Sequence, residues 1–94
     1  MDLQNIYSFE ELTNEAERLV IEELGQQLEE LDDPSIVNDE GTVLDIAAYA
    51  LNRVPPMYRA NLLGRIYADT LRERHEQEIR DAVRAAIEKV TSTG

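Results

Sequence analysis

The residues best equipped for chemistry in this 94-residue chain lie between Asp45 and Arg65. Arginine makes bidentate contacts to phosphate and stacks on purine faces, and this stretch holds Arg53, Arg59 and Arg65. Tyrosine offers an aromatic surface with a polar tip, supplied here by Tyr49 and Tyr58. On a helix, Asp45, Tyr49 and Asn52 fall at i, i+4 and i+7, a narrow polar stripe with Arg53 at its flank. Pro55-Pro56 then turns the chain, and Tyr58 and Arg59 follow. Guanidiniums, an amide and phenol rings gathered near one corner suit a nucleotide. The same residues also have a structural reading, which composition alone favours. In it Asn52 caps the helix, Asp45 pairs with an arginine and the tyrosines are core.

Other chemistries find little support. His75 is the only histidine, and it sits between Leu71 and Ile79 on an apolar stripe, where a ring nitrogen is normally satisfied structurally. With no cysteine there is neither a disulfide nor a zinc–thiolate site. Asp32, Asp33, Asp39 and Glu40 lack the spacing of a calcium loop. No glycine-rich phosphate loop is present. The carboxylates lie on helix faces expected to be solvated. No catalytic residue, metal site or cofactor is expected, and the chain reads as a binding protein rather than an enzyme.

Charge narrows the partners. The net charge is −11. Residues 1–45 carry every acid but six and a single base, Arg18, whereas Ile46 to Ala68 holds three arginines and no acid. DNA and anionic membranes should be repelled as a whole. A small anion samples only the local field, so the acid-free stretch is where one would bind. No apolar run is long enough to span a bilayer, and MDLQNIYSFEEL is acidic, unlike a secretory signal. A cytoplasmic location is expected.

The elements that must position these residues are helical. Ser8-x-x-Glu11 has the form of a capping box. It predicts a first helix from about Phe9 to Leu31, with Phe9, Leu12, Ala16, Leu19, Val20, Leu24, Leu28 and Leu31 as its apolar stripe. A small extended element is expected at Ile36-Val37 or at Tyr58-Arg59. A second helix should begin near Thr42 and end near Arg53 ahead of the diproline. A third should run from about Ile66 to Val90, with Glu76–Arg80 and Arg84–Glu88 as i,i+4 pairs. The expected fold is all-α: one compact domain of three to four helices over residues 1–94. Its N- and C-terminal helices are long, and its short central helix ends in a diproline turn. Residues 1–7 and 91–94 should be frayed. The two long stripes offer more apolar surface than the short helix can cover, which predicts a homodimer.

The run Leu44-Asp45-Ile46-x-Ala48-x-Ala50-Leu51-Asn52-Arg53-Val54-Pro55-Pro56-x-Tyr58 resembles the signature of the ComFB (late competence development protein) family. Its core, Asn-Arg-x-Pro-Pro-x-Tyr, is distinctive, because few helices end in a diproline followed by tyrosine. The resemblance implies a receptor for a cyclic dinucleotide, cyclic di-GMP foremost, that acts through a downstream protein. Some family members carry cysteines near the motif that suggest a metal site; this chain has none, so that role is not carried over. The implied ligand residues are Arg53 first, then Tyr58 for stacking and Asn52 for a base edge or phosphate. Asp45 would orient Arg53 or accept from a guanine edge, and Arg59 and Arg65 would assist. The alternative is a ligand-independent acidic interaction module.

Overall fold

The computed structural model of the protein describes residues 1–60 and 68–93. In chain order these form α1 (Leu3–Ile6), β1 (Thr13–Asn14), α2 (Glu15–Leu31), α3 (Pro34–Val37), α4 (Glu40–Leu51), β2 (Tyr58–Arg59) and α5 (Ala68–Thr93). The fold is all-α, as the periodicity implies, with two long helices and a short central one.

α2 begins at Glu15 rather than near Phe9. Asn14 is its N-cap, its side chain accepting from the Ala16 amide at 3.1 Å, and Glu15 and Glu17 sit in the first turn where the helix dipole favours acids. The Ser8 hydroxyl instead accepts from the Glu10 amide. Phe9 and Leu12, counted on the stripe from sequence, are exposed. The stripe proper is Ala16, Leu19, Val20, Leu24 and Leu28, all buried. The helix ends at Asp32, whose φ of 51° is the left-handed conformation that stops a helix.

The segment after α2 is a second correction. Ile36-Val37 is a helical turn, not an extended piece: Asp33 caps α3 through the Ser35 amide at 3.0 Å, and Pro34 occupies the first turn, where a missing N–H costs nothing. The cap of α4 is Asp39 rather than Thr42. Its carboxylate accepts from the Thr42 amide and, at 2.9 Å, from the Thr42 hydroxyl. These bonds, the hydroxyl foremost, hold the Asp39 carboxyl below its ordinary range. At the far end, α5 runs through Thr93. The predicted start of the last helix at Ile66 lies outside the described residues.

α5 packs against both α2 and α4, closing one core. Ile79, Ala82, Val83, Ala86 and Ile87 come from α5, and Ile46 and Ala50 from α4. Each large side chain fully buried there contributes about 1.5–3 kcal/mol. Polar ties reinforce the helix contacts: Gln27 donates to the Arg80 carbonyl at 3.0 Å, and Arg72 meets Glu22 at 2.7 Å. Val54 and Met57, on either side of the diproline, are also core residues.

Candidate functional site

The diproline divides the motif into two environments. On its N-terminal side, α4 carries Asp45, Tyr49 and the C-cap Asn52, whose amide bonds back to Ala48 and Ala50. Arg53 follows. Its guanidinium lies 5.6 Å from the centre of the Tyr49 ring, and Nη1 is 3.4 Å from the tyrosine hydroxyl. A cation held over an aromatic face is stabilised by the ring quadrupole while its remaining donors stay available. Arg53 is exposed, and among the described residues no carboxylate lies within ion-pair distance of it. The pair stands at the mouth of an open cleft of about 500 Å³ whose other wall is α5, through Ala85, Glu88, Lys89 and Ser92.

On the C-terminal side the arrangement is architectural. β2 pairs antiparallel with β1, Thr13 opposite Arg59 and Asn14 opposite Tyr58. The Met57 amide donates to the Asn14 side chain at 2.8 Å, and the Glu15 amide donates to the Met57 carbonyl at 2.8 Å. Asn14 thus caps α2 and clamps the post-proline strand with one oxygen. Glu15 is 3% exposed, the only charged side chain buried among the described residues. It is held by two guanidiniums: Arg18 Nη2 at 2.8 Å, and Arg59 through Nε. Burial opposes its charge, but the hydrogen bonds from Arg59 and Arg18 outweigh that, and its carboxyl sits below the ordinary value.

The residues singled out from sequence are therefore not one cluster. Asp45, Asn52 and Arg53 belong with Tyr49 on the α4 side. Asp45 is exposed, and among the described residues it bonds to no arginine. Tyr58 is 64% exposed and lines a different groove, with Leu12, Ile21, Arg18 and Arg59. Arg59 is engaged by Glu15. Arg65 lies outside the described residues. His75 is half-buried on α5, with Nδ1 3.1 Å from a Glu78 oxygen, a local contact at the edge of the stripe. Among the described residues no group of side chains could hold a metal ion. Lys89 and Ser92 were not visible as site residues, because only the packing of α5 on α4 brings them to the cleft. Asn14 and Glu15 did carry a signal, a cap followed by first-turn acids, but the pattern at Ser8 masked it.

Fold and site together define a small helical domain in which a diproline separates an exposed arginine resting on a half-buried tyrosine from a buried carboxylate clamp. The family model of the late competence development protein ComFB matches residues 13–93, and the chain belongs to that family. No curated protein and no solved structure matches it.

Proposed function

We propose that the protein is a receptor for a cyclic dinucleotide, cyclic di-GMP foremost, that passes its state to a partner protein. The observation that carries this reading is Arg53. It lies within the family motif, is presented on the Tyr49 ring, and remains open to an anion in a chain of net charge −11. Long-range attraction cannot hold an anionic ligand on such a protein, so local donors must. The cleft beside Arg53 adds Lys89 and the Ser92 hydroxyl on its far wall. Asn52 and Asp45, on the same side of the diproline, are the nearest candidates for reading a base. Tyr58 is a stacking surface of second rank, and Arg59 supports the fold.

The ligand would act by population shift, binding one conformation or assembly better than another. Binding to the native state raises the melting temperature by mass action, about 2.7 kcal/mol of stabilisation at a hundredfold excess over Kd. Cyclic di-GMP, cyclic di-AMP and a linear dinucleotide should therefore be compared by thermal shift. A rise with a cyclic and not the linear compound supports the receptor reading. No rise with any of them moves the function to the second reading, a ligand-independent acidic interaction module. That reading draws on the acids exposed along α2, such as Glu17, Glu22, Glu29 and Glu30.

A further inference from the structure

Large apolar side chains left singly on a surface need no explanation, but several gathered in one concavity mark a place where something binds. The groove on the C-terminal side of the diproline is such a place, with a volume of about 620 Å³. Its apolar lining comes from three segments: Leu12 ahead of β1, Ile21 on α2 and Tyr58 on β2, which are 47%, 53% and 64% exposed. The chain leading to Leu12 is exposed and apolar as well, at Leu3, Ile6, Tyr7 and Phe9. The groove is built before any partner arrives, because the β1–β2 pairing and the Glu15–Arg59 contact fix β2 against the start of α2.

The charges of the groove identify the occupant. Its two arginines are already engaged. Arg18 gives Nε and Nη2 to Glu15 and Nη1 to Glu22, and Arg59 gives Nε to Glu15. An acidic partner would have to break these pairs. Glu17 lines the same groove one helical turn before Ile21; it is exposed, and among the described residues no ion pair engages it. Residues 1–31 as a whole carry nine acids and one base, so a cation is favoured both on approach and at contact. We propose that this groove docks a partner protein through a segment that sets large apolar side chains beside lysine or arginine. Tyr58 stands two residues beyond Pro56, and Arg53 two before Pro55. Met57 between them is buried and its amide is held by Asn14, so a change at Arg53 has a short, stiff path to the groove. That coupling, and only that, rests on the ligand reading above.

The test uses the whole protein without nucleotide and a fluorescent amphipathic helical peptide of leucine and lysine as probe, read by anisotropy. Ile21→Glu separates the groove from mere acidity, because it adds an acid while removing an apolar wall. It should weaken binding at least about tenfold. Val37→Glu adds the same charge at an exposed position beyond the other end of α2 and should not weaken it. Tyr58→Ser, on the β2 side of the groove, should weaken binding as well, with an unchanged helical circular dichroism spectrum. Binding to Ile21→Glu as tight as to wild type overturns the proposal, as does no binding of the probe to wild type. Equal binding of a peptide with glutamate in place of lysine also overturns it. A smaller mass of Ile21→Glu than of wild type by light scattering would assign the groove to a second copy of the chain and overturn it too. Because the assay contains no nucleotide, its failure leaves the receptor reading standing, and a failure to bind nucleotide leaves the docking groove standing.

Discussion

Arg53 and Arg59 stand on either side of the diproline, and their surroundings differ in almost every respect. Arg59 is mostly buried and closes on Glu15, a carboxylate removed from water and already bonded to Arg18. Arg53 is exposed, rests on a tyrosine ring and faces a cleft. Both are arginines beside the same turn, so residue type and local sequence do not separate their roles. The separation comes from what each meets across the fold: the start of α2 for one, the flank of α5 for the other. An arginine that neutralises a buried carboxylate has little left for a ligand, because removing it would leave that charge less compensated. An arginine held over an aromatic face keeps its donors and is pre-oriented.

If the clamp is structural, breaking it should damage the fold more than any other single change around the diproline. Glu15→Ala removes the carboxylate and leaves two guanidiniums side by side, which should cost about 3 kcal/mol of stability. Urea denaturation reads this directly; a loss below about 0.5 kcal/mol, ordinary for a surface change, would remove the distinction between the two regions.

The clamp also predicts a pH signature. The folded Glu15 carboxyl lies below its ordinary value of 4.5, so its charge adds stability at pH above that value. The contribution is lost as pH falls through the lower folded value. Many other acids titrate in the same range, so the useful quantity is the difference in urea midpoint between wild type and Glu15→Gln. This gap should be widest near neutrality and narrow below pH 4.5. A gap that stays constant down to strong acid would mean the charge of Glu15 does not stabilise the fold.

The smallest effect is expected at His75. Its contact with Glu78 is local, so His75→Gln should change ligand affinity by less than about threefold, under roughly 1 kcal/mol. Loss of binding in a folded His75→Gln protein would place the site elsewhere on α5.

Much of this architecture is legible in the sequence because it is periodic. The stripe from Ala16 to Leu28 and the one containing Ile79, Val83 and Ile87 are recoverable from spacing alone, and both are buried. The errors cluster where a local pattern competes with a distant partner. Ser8-x-x-Glu11 has the form of a cap, but Asn14 has something Ser8 lacks, the Met57 amide contributed from beyond the diproline. That second bond fixes where α2 begins, and no window around Asn14 contains it. Phe9 and Leu12 continue the spacing of the stripe across the break, so periodicity counts them as core although both are exposed. Val54 and Met57 fail the other way: bracketing two prolines they belong to no periodic run, yet both are buried. At the site, sequence singled out Arg53 and Tyr58 and grouped them as neighbours along the chain. Their division between two clefts depends on how β2 pairs with β1, a contact between segments far apart in sequence.

The most direct measurement is calorimetric titration of cyclic di-GMP into wild type and Arg53→Ala, with Arg84→Ala as the control. Arg84 lies on the exposed face of α5 and approaches Asp81 only to 3.8 Å, so its removal should leave affinity unchanged. Arg53→Ala should remove a charge-assisted contact worth about 1.5–3 kcal/mol and weaken binding about ten- to a hundredfold, with the melting temperature of the free protein unaltered. Wild-type affinity in a folded Arg53→Ala protein, or no heat of binding to the wild type at all, would contradict the assignment of Arg53 as the ligand-facing arginine.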